Sequence, residues 1–304
     1  MLAHTSFLSN PSPLAQGLDD PVQNVQNPVP MIIARTLEDL TTARDTLGPV
    51  NFVPTMGALH AGHLALVKAA RDAGLPVAAS IFVNPTQFGP KEDFTRYPRD
   101  EIGDLDKLEQ AGCALAWLPH VDTMYPAHST TSIHVAGVTA HWEGASRPGH
   151  FDGVATVVAK LFGQIRPTAA FFGEKDWQQV QVVRRMAADL NTHVEVVPVP
   201  TVREADGLAM SSRNSYLSAP ERKAAPALYA SLTRAASAIV GGKEVAATLQ
   251  KTRQELAQAG MVPDYVALVH AHTLEPIAGL IRPARLIAAA KLGTIRLLDN
   301  VPVG

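Results

Sequence analysis

Two histidines three positions apart, His60 and His63, stand in the stretch Pro54-Thr55-Met56-Gly57-Ala58-Leu59-His60-Ala61-Gly62-His63. Asn51-Phe52-Val53 reads as the end of a buried strand, and Leu64, Leu66, Val67 and Ala70 recur at helical spacing, so the pair belongs on a strand-to-helix turn. Such a turn suits an anion. Its glycines let backbone pass close to a ligand, the helix N-terminus offers free N–H groups and partial positive charge, and imidazoles add donors that can carry charge. Taken alone, the spacing also describes an ordinary tight turn with two surface histidines.

Other clusters extend the theme. Gly173-Glu174-Lys175-Asp176 puts a charged triplet at a strand end, where Lys175 could neutralise phosphate and Asp176 could orient it, receive a substrate hydroxyl or simply cap a helix. Ser211, Ser212 and Arg213 supply two hydroxyls and a guanidinium fork, which make an anion clamp or a polar interdomain linker. Asn84 and Gln87 are neutral amides able to hold a carboxylate and hydroxyls, or to cap their own turn. Tyr97, before Pro98, could cover the same pocket or only pack, and Arg147-Pro148-Gly149-His150-Phe151 is open between those readings. Asp93, Asp100, Asp104 and Asp106 cluster without a Ca²⁺-loop pattern and read as a solvated helix start; any Mg²⁺ would ride mainly on substrate phosphates, with no metal ligand assigned to the chain. HExxH, Gly-x-Ser-x-Gly and Walker A patterns are absent from the sequence. Cations and donors in this mixture suit nucleotidyl transfer, because attack of a carboxylate on the α-phosphorus of ATP needs in-line positioning and charge stabilisation more than acid–base chemistry.

The elements that must position these residues alternate. A helix is expected over 36–47 with Thr36 as a possible N-cap, then the first strand near 51–54, and further strands at 77–83, 114–118, 169–172 and 193–199. Helices are expected over 101–111, 151–165 and 177–190. This alternation implies an α/β fold with a doubly wound parallel sheet, and every polar motif follows a strand C-terminus, so all would share one sheet edge. Beyond Ser218 the texture changes to Ala-rich helices over 220–240 and 244–259, then short strands at 265–269, 286–292 and 295–298 that form a small antiparallel sheet. The expected division is a leader over 1–30, an ATP- and substrate-binding domain over 31–201 and a C-terminal α+β lid domain over 202–304.

Composition bounds the rest. In 304 residues, 26 basic side chains nearly balance 28 acidic ones, so a nucleic acid or a membrane surface is not expected as a partner. The single cysteine, Cys113, rules out an intramolecular disulfide and fits a cytoplasmic location. Residues 1–30 contain no Lys or Arg and lack a sustained apolar core; they read as a disordered leader rather than a secretory signal, and translation could begin at Met31.

The histidine stretch, Ile81-Phe82-Val83-Asn84-Pro85-Thr86-Gln87-Phe88, Phe171-Phe172-Gly173-Glu174-Lys175-Asp176 and Met210-Ser211-Ser212-Arg213-Asn214 resemble, in order, the pantothenate synthetases, the pantoate beta-alanine ligase family of the HxGH nucleotidyltransferase superfamily. Arg203-Glu204-Ala205-Asp206-Gly207-Leu208 and Leu297-Leu298-Asp299-Asn300 add to the likeness, which covers about Met31 to Asn300. The resemblance implies a Rossmann-like domain with a smaller lid, a homodimer, Mg²⁺ with ATP, and condensation of pantoate with beta-alanine through a pantoyl adenylate. By matching motif it implies that His60, His63, Lys175, Ser211, Ser212 and Arg213 act on the phosphates and transition state. Pro54, Met56, Gly57, Gly173, Asp176, Val202 and Met210 would complete the ATP site. Gln87 and Gln179 would bind pantoate with Asn84 nearby, and Tyr97 would lie where beta-alanine enters.

Two positions depart from that pattern. Ala61 stands where the family usually has Glu, and Trp177 where Tyr is frequent; neither carries an assigned chemical role, so activity is expected to survive. Two alternatives stay open: another HxGH nucleotidyltransferase acting on a different small substrate, and an inactive nucleotide-binding or scaffold protein.

Overall fold

The computed structural model describes residues 30–90 and 92–304, so the expected leader lies, apart from Pro30, outside the described residues. Six short strands form one sheet: β1 (Ile32–Ala34), β2 (Asn51–Thr55), β3 (Val77–Ile81), β4 (Leu115–Trp117), β5 (Ala169–Gly173) and β6 (Glu195–Val199). Between and after them run α1 (Leu37–Leu47), α2 (Ala61–Asp72), α3 (Glu101–Gln110), α4 (Val121–Met124), α5 (Glu143–Ser146), α6 (His150–Ile165) and α7 (Trp177–Asp189). Side chains alternate across the pleat, and both faces are apolar. Phe52, Ala78, Trp117 and Ala170 join α1, α6 and α7 in one core, whereas Val53, Ala79, Ala116 and Phe171 join α2 and α3 in another. A sheet covered on both sides needs continuous apolar runs, which is why these strands read as such in the sequence.

The strand order is β1-β4-β3-β2-β5-β6, with every pairing parallel. The chain winds outward from β2 through β3 to β4, then returns to lay β5 on the other side of β2. That reversal makes a crevice beyond the carboxyl ends of β2 and β5, where open α/β sheets bind ligands.

The second unit packs α9 (Ala227–Val240) and α10 (Val245–Gln258), after the short α8 (Ala219–Ala224), against the antiparallel sheet β7 (Val262–His270), β8 (Ala284–Leu292) and β9 (Ile295–Val303). Leu228, Leu232, Leu256, Val266, Leu286 and Val301 fill that interface. The opposite face of the small sheet docks on the first unit, where Ala267, Val269 and Ile287 cluster with Trp177. The Trp177 indole donates to the Ala271 carbonyl at 2.7 Å, so the residue that departs from the family pattern serves the contact between units.

Three expectations change. Residues 32–34 form a strand ahead of the one expected to be first, a piece too short for any periodicity to reveal and fixed by pairing with β4. The helix expected over 220–240 divides into α8 and α9 at Pro226, whose nitrogen has no proton to continue the helical ladder. The C-terminal strands extend beyond 265–269 and 295–298, because antiparallel pairing with β8 holds residues whose own sequence does not alternate.

Candidate active site

His60 is the N-cap of α2, and the cap is built from imidazoles. His60 Nδ1 accepts from the Gly62 N–H at 3.1 Å, and His63 Nδ1 accepts from the His60 N–H at 3.3 Å. With both Nδ1 atoms accepting, each neutral ring carries its proton on Nε2. The rings lie 4.1 Å apart between centroids. Burial, then Lys175 and Lys107, holds His60 below the usual histidine range, and burial, then His60 and Lys175, pushes His63 down to about 3. The expectation that these groups bring charge is therefore refined: without ligand they are neutral Nε2–H donors.

Gly57 and Ala58 turn the chain into that cap with φ of +82° and +51°. Gly57 does not line the cavity. A Cβ there would meet the Asp104 Oδ2 at 2.9 Å, so this glycine admits the close approach of a carboxylate. Asp104 itself is only 1% exposed, and its two oxygens accept from the Ala58 and Leu59 N–H groups, both at 2.7 Å. This overturns the reading of Asp104 as part of a solvated helix start. Asp100 does cap α3, accepting from the Gly103 N–H. A signal for Asp104 existed: it sits one helical turn before the fully buried Leu108, which puts an acid on the inward face.

A cavity of about 250 Å³ opens at the crevice. Pro54, Met56, His60 and His63 line it from the β2–α2 turn, and Gly173, Lys175 and Asp176 from the end of β5. Val202, Met210, Ser211, Ser212 and Arg213 close it from the segment after β6. Asp176 occupies the N-cap position of α7 without capping it; its carboxylate lies 3.6 Å from the Lys175 Nζ. The Ser212 hydroxyl donates to the Ala58 carbonyl at 3.2 Å, joining this segment to the histidine turn. Arg213 is not a free fork. Its Nε and Nη2 pair with the Asp93 carboxylate at 2.9 and 2.8 Å, and its guanidinium lies 5.7 Å from the Tyr97 ring centre. Asp93 is thus a partner of the clamp, another residue whose role local sequence did not disclose.

The amide pocket divides. Asn84 lines the cavity, but its Nδ2 donates to Gln87 Oε1 and the Gly153 carbonyl, while its Oδ1 accepts from the Thr86 N–H, the Thr86 hydroxyl and the Tyr125 hydroxyl. Its atoms are occupied in shaping the turn. Among the described residues Gln87 Nε2 meets only the Met56 sulfur, at 3.2 Å, and remains a usable donor. Gln179 lines the same cavity from the first turn of α7. Gly153 of α6 lies under this turn so closely that a Cβ would meet the Thr86 carbonyl oxygen at 2.5 Å. Tyr97 is buried on the cavity wall.

Arg147 and His150 brace the far side. Arg147 pairs bidentately with Glu92 at 2.7 and 2.6 Å, and His150 Nδ1 lies 2.9 Å from the Gln87 carbonyl oxygen. Burial, then the Arg147 charge, pushes His150 down to about 4. The unfolded chain takes up this proton near 6.5 and the folded one does not, so stability is complete above that pH and falls as pH drops toward about 4. The contribution is up to about 1.4 kcal/mol per pH unit. Chemical denaturation at about pH 7 and about pH 5 is expected to give a shallower loss in His150→Gln than in the parent; equal losses would remove His150 as the source.

A Rossmann-like sheet with donors and cations gathered at its switch point defines a nucleotide-binding α/β protein with a second unit against the cleft. Comparison with known proteins narrows this. The profile of the Pantoate-beta-alanine ligase family matches residues 32–302, and the chain belongs to that family. It is 59% identical over 278 residues to the pantothenate synthetase of Acidiphilium cryptum, covering 90% of this chain and 100% of the relative. Against that of Rhizorhabdus wittichii the identity is 57%, covering 90% and 99%. The crystal structure of pantothenate synthetase from Thermus thermophilus superposes with a TM-score of 0.86 at 50% identity, covering 90% of this chain and 99% of that one. A pantoate-beta-alanine ligase from Francisella tularensis, solved with beta-gamma ATP and beta-alanine, superposes with 0.76 at 31% identity, covering 90% and 97%.

Proposed function

We propose that the cleft joins pantoate to beta-alanine with cleavage of ATP, through a pantoyl adenylate. The observation that carries this reading is the convergence of four sequence segments on one cavity, in a chain of the ligase family. In the first half-reaction a pantoate carboxylate oxygen attacks the α-phosphorus, and pyrophosphate leaves with the electron pair of the broken P–O bond. Gln87 and Gln179 hold pantoate in line, the Nε2–H groups of His60 and His63 donate to phosphate oxygens, and the Lys175 ammonium offsets the charge that accumulates. Ser211, Ser212 and Arg213 receive the departing phosphates, with Asp93 orienting the Arg213 fork until they arrive. In the second half-reaction the free amine of beta-alanine, entering past Tyr97, attacks the acyl carbon. AMP leaves and the nitrogen loses its proton.

Mg²⁺ fits this site as a companion of the nucleotide. Among the described residues no three His, Cys, Asp or Glu side chains converge as a cage, and Asp176 is the carboxylate on the cavity wall nearest Lys175. When bound through the phosphates the ion neutralises their charge. Residues 202–304 act as the lid over an ATP- and pantoate-binding unit spanning 31–201, a reading supported by the reach of Ser212 and Arg213 into the cleft. A homodimer in the cytoplasm completes the proposal; among the described residues no helix is long and apolar enough to cross a membrane, and light scattering at about twice the chain mass would bear out the dimer.

The discriminating experiment is product release from the full-length protein with Mg²⁺-ATP. Pyrophosphate is expected on adding pantoate, with AMP released in multiple turnovers only when beta-alanine is also present. ATP turnover indifferent to both acids would overturn the ligase reading.

A further inference from the structure

The turn that presents Lys175 is not held by its own neighbours. Glu174–Asp176 is a single 3₁₀ turn without a side-chain cap, and Asp176 does not cap the helix that follows. The holding comes from the C-terminal sheet. Asn300 of β9, 6% exposed, directs both amide protons to this turn: Nδ2 donates to the carbonyl oxygens of Glu174 at 2.8 Å and Lys175 at 2.9 Å. Its Oδ1 accepts from Arg285 Nη1 at 2.5 Å, while Arg285 Nη2 pairs with the Glu174 carboxylate at 2.9 Å. The Arg285 guanidinium also stacks on Trp177, 3.6 Å from the ring centre, so backbone, side chain and following helix are gripped together.

The neighbouring residue reaches the other phosphate-facing segment. Asp299 accepts from the Asn300 N–H at 2.7 Å and from Arg203 at 2.6 and 2.9 Å. Arg203 in turn bridges Ala209, shortly before Ser211, Ser212 and Arg213. One strand of the second unit therefore ties together the lysine turn and the serine–arginine clamp, both of which line the cavity.

We propose that Asn300 is a positioning residue for Lys175: it fixes the backbone from which the ammonium is aimed, and with Asp299 sets the spacing between that cation and the clamp. The inference rests on the reading of Lys175 given above. A free turn could rotate either carbonyl toward solvent and swing the ammonium off the phosphates, and a misplacement of about 1 Å costs on the order of 10²-fold in rate.

A double-mutant cycle tests it, read as single-turnover pyrophosphate release from pantoate and Mg²⁺-ATP. Asn300→Ala is expected to slow adenylation by roughly 10- to 100-fold, and Asn300→Ala combined with Lys175→Ala is expected to be no slower than Lys175→Ala alone within about twofold. A residue that only stabilised the fold would give losses that multiply. Asn300→Asp, which keeps the pairing with Arg285 but turns a carboxylate oxygen toward the two carbonyl oxygens, is expected to slow adenylation at least as much, and a thermal melt of each variant separates loss of fold from loss of position. Unchanged adenylation in Asn300→Asp, or multiplicative losses beside a slow Lys175→Ala, overturns the inference alone. Undiminished turnover in Lys175→Ala overturns the reading of Lys175, and this inference with it.

Discussion

Replacing His63 by alanine is expected to leave a folded protein whose adenylation step is slower by on the order of 10²–10³-fold, the cost of removing one preorganised donor from a transition-state site. The geometry supports a donor and nothing more elaborate. His63 Nδ1 is already engaged by the His60 N–H, so Nε2 is the atom offered to the cavity, and burial keeps the ring neutral. A neutral donor aimed in advance needs no reorganisation as charge moves from the α-phosphorus toward pyrophosphate. The structural cost should be small, because the lost cap is worth about 1 kcal/mol. Single-turnover pyrophosphate release beside a thermal melt separates the two effects. A rate within about threefold of the parent would remove His63 from the phosphate site.

Asp104→Asn is expected to lower both stability and rate, though Asp104 does not line the cavity. In the parent both carboxylate oxygens accept backbone N–H groups at 2.7 Å, that of Leu59 buried and that of Ala58 partly so. An amide of the same shape must turn its NH₂ toward one of them, which leaves a buried donor unsatisfied at about 1–3 kcal/mol. The strain falls where the chain is already bent, since Ala58 lies at a φ of +51°, a region that costs a non-glycine residue roughly 1–2 kcal/mol. Relaxation there shifts the cap at His60, and with it both Nε2 donors. We expect a melting temperature lower by several degrees and adenylation slower by about 10²-fold. An asparagine variant with both quantities unchanged would show that the turn holds without its carboxylate.

These two residues also show how much of the site was legible beforehand. His63 could be read because its meaning is local: strand end, glycine, imidazole and helical periodicity all fall within about ten residues, and each follows from backbone preferences near the residue itself. The same holds for the charged triplet after β5 and the Ser-Ser-Arg segment. Their shared edge followed from the rule that alternating strands and helices make a parallel sheet, and the observed order bears that out. The split between Asn84 and Gln87 did not follow. Both are amides in one turn, and only the packing of α6 and Tyr125 against them decides which has its hydrogen bonds consumed.

The sequence by itself determined the α/β class, the four motif segments, their order along the chain and the family. Tertiary structure alone decided that Asp93 holds Arg213, that the Asp104 carboxylate packs against Gly57, and that Asn300 grips the Lys175 turn. The physical reason is range. Periodicity, capping and turn chemistry act over a few residues and leave a mark at each position, whereas the partner of a buried polar group is whichever group packing brings within about 3 Å, here from 45 to 126 residues away.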